Sequence, residues 1–286
     1  MKEIIYIVGP SRSGSSLLES RLNSRDRVRA FGELRWFFNR GYIKNEICSC
    51  SKKFHDCDYW GQYKNFLTLQ EASDCDDLRT YFDKFRNIIP FYFKFLRSKK
   101  WKKNLLEYSK YLLNLYTRIS QDSDVIVDNS KSPFYFLVLE ASLKGKFRVT
   151  PVLYDRQSAA IVDSYSKDKV RTESTNLEMM RKKSMPHVIL YLMAIRLISL
   201  FIKKTRESAV KISYKQICQD EEASIKKILN SKQGTLNNGY YHSVSGNPDR
   251  VSGFDEVKYL ERLNRGRFDF VFFICKFFDR VTFFRD

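Results

Sequence analysis

The chain has 286 residues, 43% of them hydrophobic, with 51 Lys and Arg against 33 Asp and Glu, a formal charge of +18 and a pI near 9.6. Length and apolar content suit one α/β domain over 1–286 and exclude a largely disordered chain. The charge points to an anionic partner, whether nucleic acid, lipid surface, acidic polysaccharide or doubly phosphorylated nucleotide, and does not choose among them.

The first element is Ile4-Ile5-Tyr6-Ile7-Val8, an apolar, β-branched run closed by Gly9-Pro10, and a helical pattern (Leu17, Leu18, Leu22) starts after Gly14. This reads as strand, glycine turn, helix. The opening lacks the charged start, long apolar stretch and small-residue cleavage site of a secretory signal, so a cytoplasmic location is expected. From about 42 to 120 the sequence is aromatic, basic and helical in spacing, with Trp101, Leu105, Leu106, Tyr108, Leu112, Leu113 and Tyr116 as its buried face. A helical insertion covering one edge of a sheet is expected there. Short strand candidates at 125–127, 149–153 and 210–212 are each followed by a segment that can be helical. That alternation predicts a P-loop-type central parallel sheet flanked by helices.

The apolar segment 188–202 is interrupted by Arg196 and is shorter than the ~20 residues a bilayer span requires, so a buried helix is expected. A C-terminal helix at about 255–284 carries Phe268, Phe270, Phe272, Phe273, Phe277, Phe278, Phe283 and Phe284, a very wide apolar face. Core packing is the favoured reading, and its basic flanks make peripheral contact with an anionic bilayer the alternative. Cys48, Cys50, His55 and Cys57 have a C-x-C-x4-H-x-C spacing that departs from the paired C-x-x-C of common zinc sites. The six cysteines are read as reduced thiols, and no metal is assigned.

Gly9-Pro10-Ser11-Arg12-Ser13-Gly14-Ser15-Ser16 places two glycines five residues apart between a strand and a helix start, so backbone N–H groups converge on an anion. Nucleoside triphosphate enzymes follow the second glycine with a lysine that reaches the β and γ phosphates. Ser15 stands in that place, which argues against ATP or GTP chemistry and so against an atypical P-loop kinase. The positive charge sits instead at Arg12.

With Leu17-Leu18, this segment resembles the 5′-phosphosulfate loop of sulfotransferases that use 3′-phosphoadenosine 5′-phosphosulfate (PAPS), whose usual form is R-S-G-[ST]-[ST]-L. The resemblance implies that Pro10, Ser11, Arg12, Ser13, Gly14, Ser15 and Ser16 hold the 5′-phosphate, with Arg12 reaching the bridging oxygen. It also implies PAPS as co-substrate, adenosine 3′,5′-bisphosphate (PAP) as product and no required metal. Tyr154-Asp155-Arg156, with Ser164 eight residues beyond Arg156, resembles the family's 3′-phosphate motif. There a guanidinium fork and a hydroxyl grip one phosphate. His242-Ser243-Val244-Ser245-Gly246-Asn247-Pro248-Asp249-Arg250 resembles the late H-x-x-x-G-N-x-x-R segment, which implies that Gly246, Asn247 and Arg250 close over the nucleotide. Ser213-Tyr214-Lys215-Gln216-Ile217 resembles the R-Y-E-D-L junction, with the arginine, glutamate and aspartate replaced. The cysteine stretch, ending at Trp60, resembles the C-x-C-x6-C-x2-W segment of some bacterial members, for which the likeness implies no role.

Two segments bear on catalysis. Gly32-Glu33-Leu34-Arg35 resembles the G-E segment of tyrosylprotein-type members, which implies Glu33 as general base, with His55 the reserve. Lys131, in Asp128-Asn129-Ser130-Lys131-Ser132-Pro133-Phe134, resembles the lysine of the K-x-P-F segment that contacts the transferring sulfonate. A sulfotransferase acting on a hydroxyl is therefore expected, with a carbohydrate or glycolipid the favoured acceptor. No nucleic-acid partner is expected, although the basic, aromatic segment 92–103 and the net charge would suit a nucleic-acid or membrane-surface module.

Overall fold

The computed structural model describes residues 1–166, 185–230, 241–245 and Asp279. Five strands form its sheet: β1 (Lys2–Val8), β2 (Val28–Ala30), β3 (Val125–Lys131), β4 (Phe147–Asp155) and β5 (Val210–Ser213), in the order β2-β3-β1-β4-β5. Every pairing is parallel. Nine α-helices connect and flank them among the described residues: α1 (Ser15–Asn23), α2 (Leu69–Phe82), α3 (Ile89–Tyr92), α4 (Lys99–Ile119), α5 (Pro133–Leu143), α6 (Ser158–Ser166), α7 (Met185–Thr205), α8 (Tyr214–Gln219) and α9 (Glu221–Leu229). The architecture is α/β, a central parallel sheet with helices on both faces.

Side chains alternate across a strand, so β1 feeds two cores. Ile4, Tyr6 and Val8 join α4 and α5 through Leu112, Tyr116, Phe136 and Leu139. Ile5 and Ile7 join α1, α8 and α9 through Leu18, Leu22, Ile217 and Ile225. A strand buried on both faces reads as a continuous apolar run, and Ile4-Ile5-Tyr6-Ile7-Val8 does so. Each fully buried Ile or Val contributes about 1.5–3 kcal/mol, so this strand is the fold's anchor.

Several expectations are corrected. The three-residue β2 is absent from the sequence reading because Val28-Arg29-Ala30 is too short to show a period, yet it adds an edge by pairing Val28 with Val125. In α4 the inward stripe is Trp101, Tyr108, Leu112, Leu115, Tyr116 and Ile119, whereas Leu106 points outward, 62% exposed. Helix α7 is not buried all round: Val188, Leu192, Arg196 and Ile202 face inward, while Leu190, Leu197 and Phe201 are exposed. No helix among the described residues is long and apolar enough to cross a membrane. The expected C-terminal helix at 255–284 lies outside the described residues apart from Asp279.

Candidate active site

Open parallel sheets bind ligands beyond the carboxyl ends of their strands, where the strand order reverses. Here β1 lies between β3 and β4, and the candidate residues follow the ends of different strands. The glycine loop follows β1, Glu33 follows β2, Lys131 ends β3, Arg156 follows β4 and Tyr214 follows β5.

The loop is shaped by two glycines. A Cβ at Gly9 would collide with the Tyr154 carbonyl of β4, and Gly14 has φ 85° with the Tyr214 ring 2.6 Å from where its Cβ would stand. Gly14 caps α1 without a side-chain cap; the Leu17 N–H turns back to the Gly14 carbonyl at 3.0 Å, and no capping side chain competes with an anion for the amides before it. Arg12 also has positive φ, 69°. Non-glycine residues pay about 1–2 kcal/mol for that conformation, and such strain clusters at functional sites. Ser13, Ser15 and Ser16 are buried beneath the loop, as is Pro10. The Ser11 N–H donates to the Tyr191 hydroxyl of α7 at 3.1 Å.

Arg12 within this loop and Arg156 after β4 each lie against an aromatic ring. The Arg12 guanidinium lies 6.0 Å from the centre of the Tyr165 ring, so it reaches the helix that carries Ser164. Arg156 stacks 4.3 Å from the centre of the Tyr214 ring, the same ring that covers Gly14. The residues that replace the R-Y-E-D-L pattern have a local job: Ser213 and Gln216 form a reciprocal capping box at the start of α8, which fixes Tyr214 in its first turn.

The turn that presents Arg156 is held from beneath. Arg196, only 2% exposed, crosses from α7 and donates to Asp155 at 2.8 and 3.2 Å, to the Arg156 carbonyl at 2.9 Å, to Ser158 Oγ at 2.5 Å and to Asp279 at 2.8 Å. Burial opposes its charge, but Asp155 and Asp279 outweigh burial and raise the guanidinium above its ordinary value. Arg196 is thus an anchor that the sequence showed only as an interruption in an apolar run.

Glu33 and Lys131 form an ion pair, Nζ to Oε1 2.7 Å, with side chains 18% and 10% exposed. Lys131 has φ 63° at a break in register between β1 and β3, and its Nζ also donates to the Asn129 carbonyl at 3.2 Å. Burial raises the Glu33 carboxyl, but Lys131, with Arg40 and Arg35 behind it, outweighs burial and holds it below the ordinary glutamate value. It is therefore ionised at neutral pH and able to accept a proton.

Three features support this pair. Glu19 of α1, fully buried, accepts from the Gly32 N–H at 2.6 Å and from Asn129 Nδ2 at 2.7 Å, so one carboxylate fixes the residue before Glu33 and another close to Lys131. Burial raises its pKa. Residues 243–245 run alongside, with Val244 N–H donating to the Phe31 carbonyl and Glu33 N–H to the Val244 carbonyl, both at 2.8 Å. Arg40 donates to Ser245 Oγ at 2.5 Å. Gly246, Asn247 and Arg250 lie outside the described residues, and the described segment ends one residue before them.

His55, the reserve base, does not stand apart from its neighbours. Its Nε2 stands 2.8 Å from the Tyr42 carbonyl and its ring packs edge-on against Tyr42 and Phe54. Nor does it join the cysteines: the histidine beside Cys48, Cys50 and Cys57 is His242.

Asp128, beneath Lys131 on β3, makes the fold sensitive to pH. Burial pushes it up to about 7, against hydrogen bonds from Ser130 and Tyr116 that lower it. A folded-state pKa above the unfolded one means the folded chain binds more protons between the two. Stability from this group is therefore full at low pH and is lost as pH rises from about 4 through about 7, at up to about 1.4 kcal/mol per unit. Asp128→Asn is expected to flatten that part of the denaturant-midpoint profile. An unchanged slope between pH 5 and pH 7 would remove Asp128 as its source.

No protein-family model and no curated protein matches this chain. Among solved structures, its backbone is similar to that of the sulfotransferase domain from the Synechococcus PCC 7002 olefin synthase. Identity is 14%, the TM-score is 0.47, and the alignment covers 97% of this chain and 96% of that one.

Proposed function

We propose that the chain is a sulfotransferase that moves the sulfuryl group of PAPS to an acceptor hydroxyl and releases PAP. The observation that supports this reading most is the meeting, at the carboxyl ends of one sheet, of an anion loop carrying arginine in place of lysine with a buried Glu33–Lys131 pair and with Arg156.

Sulfuryl transfer, like phosphoryl transfer, has a loose in-line transition state, so the protein mainly positions groups and stabilises charge. The loop amides and Arg12 bind the 5′-phosphate, whose bridging oxygen takes the electron pair when its bond to sulfur breaks. Arg156 and Ser164 bind the 3′-phosphate. Glu33 takes the proton from the acceptor hydroxyl as the new oxygen–sulfur bond forms. Lys131, released from Glu33 as donor and acceptor enter, places its ammonium against the sulfonate and the departing oxygen. Neither step routes through a metal.

The acceptor proposed is a carbohydrate or glycolipid. Phe85, 64% exposed, lies 6.1 Å from Phe134, three residues beyond Lys131, and Phe93 and Phe95 are exposed nearby in sequence among Lys94, Arg97, Lys99 and Lys100. Exposed apolar side chains with cations beside them in sequence suit an amphiphile with anionic groups.

The test is transfer of labelled sulfate from PAPS across a panel of glycans, glycolipids, tyrosyl peptides and small phenols. The expected result is PAP-releasing transfer to a sugar hydroxyl, strongest with the lipid-linked acceptors. Transfer to peptide tyrosine alone would overturn the acceptor class, and binding of ATP with magnesium in preference to PAPS would overturn the reaction.

A further inference from the structure

The sequence spacing around Cys48 offered His55 as a fourth ligand, and the fold puts a different histidine there. Cys48, Cys50, Cys57 and His242 place one donor atom each within 4.8 Å of one another. We infer that these four residues bind a zinc ion, in a closed structural site that fastens the segment carrying His242 to the loop carrying the cysteines.

Three of the cluster's six edges lie close to those of a tetrahedral site. Zinc–sulfur bonds of about 2.3 Å and zinc–nitrogen bonds of about 2.05 Å at tetrahedral angles require about 3.8 Å between sulfurs and about 3.6 Å from sulfur to nitrogen. Cys50 Sγ to Cys57 Sγ is 3.5 Å, Cys57 Sγ to His242 Nδ1 is 3.2 Å and Cys48 Sγ to His242 Nδ1 is 3.8 Å. A disulfide accounts for less: it joins two sulfurs at about 2.05 Å and gives no reason for a third sulfur and an imidazole to converge on them.

The surroundings offer hydrogen-bond donors to the sulfurs. Main-chain amides turn toward each sulfur: Cys50 N–H to Cys48, Lys52 N–H to Cys50, and Tyr59 and Trp60 N–H to Cys57. Negative sulfurs accept such bonds better than neutral thiols do. The His242 ring is fixed by stacking on Tyr59, centroids 5.7 Å apart. Cys48 and Cys57 are buried while Cys50 and His242 are half-buried, which leaves a route for the ion to enter. Three sulfurs and one imidazole fill four positions, so no site is left for water or substrate, and the role is structural.

The position in the fold says what zinc would hold. Cys57 and His242 are 185 residues apart in sequence. Ser49, between two of the cysteines, donates to the Tyr241 carbonyl at 2.5 Å and accepts from the Ser243 N–H at 2.8 Å. Residues 243–245 in turn bond to the main chain of Phe31 and Glu33. Zinc therefore clips the strip that lies against Glu33 and leads into Gly246-Asn247. The inference does not depend on the reaction proposed above, because metal content is measured without substrate.

The test uses the full chain purified with reductant from cells supplied with zinc. Elemental analysis is expected to find about one zinc per chain, falling at least tenfold in Cys57→Ser and His242→Ala and unchanged in Cys218→Ala, outside the cluster. Should the ligand variants fail to fold, cobalt exchanged into the wild-type chain gives an independent readout: strong tetrahedral d–d bands with thiolate charge-transfer absorption in the near ultraviolet. Only trace metal in the wild-type chain, cobalt without thiolate absorption, or full zinc retention in folded His242→Ala would each overturn the assignment.

Discussion

Glu33→Gln is expected to lower turnover about 10²- to 10⁴-fold while leaving PAP affinity within about threefold of wild type. Glutamine keeps the size of the side chain and an oxygen for Lys131 to donate to, but it cannot take the acceptor's proton. The pairing of Glu33 with Lys131 at 2.7 Å matters to both partners. In the resting protein Lys131 holds Glu33 ionised, with its pKa below the ordinary glutamate value once burial is outweighed. In the proposed reaction, a sulfonate that draws the ammonium away would release the carboxylate and raise its basicity when the acceptor is in place. The sign follows for pH: free-enzyme kcat/KM should lose activity on the acid side only below the ordinary glutamate range, because a depressed carboxyl stays deprotonated further down. Lys131→Met should also reduce turnover, and it should move that acid limb upward by removing the charge that depresses Glu33. Wild-type turnover in Glu33→Gln would remove the carboxylate from the chemistry.

Arg196→Ala is expected to cost about 3–5 kcal/mol of stability, a fall in Tm on the order of 10 °C. Deleting the guanidinium leaves Asp155 and Asp279 without their common partner and the Arg156 carbonyl and Ser158 hydroxyl without a donor. Uncompensated buried charge is the expensive part. Arg196→Lys keeps the charge and loses the fork, so it should fall between the two. Because Arg196 grips the turn carrying Arg156, PAP affinity in the alanine variant should fall further than Tm alone explains, even at temperatures where the variant is folded. A Tm within about 2 °C of wild type would mean that this buried network contributes far less than its geometry requires.

The placement of the candidate residues was partly legible, because all but Glu33 follow the ends of predicted strands. The first strand and its loop announce themselves through an apolar run, two glycines and a helix start, and the later candidates fall where 125–127, 149–153 and 210–212 end. What was illegible is what binds distant segments together. Arg196 looked like a flaw in an apolar helix because its carboxylate partner Asp155 is 41 residues away. Glu19 carries no local signal because its partners come from the turn before Glu33 and the end of β3. His55 was the natural fourth member of the cysteine cluster by spacing, and only tertiary structure brings His242 there in its place. Ser213 and Gln216 departed from a familiar pattern, and the departure proves to be a helix cap.

The most direct measurement is calorimetric titration of PAP into the wild-type chain and into Arg12→Ala. An anion cradle of loop amides and the Arg12 guanidinium should bind PAP at micromolar Kd or tighter, and loss of the charged contact should weaken it about 10- to 100-fold. Absence of PAP binding in the wild-type chain, or equal affinity in both, would contradict the assignment of this loop to the nucleotide.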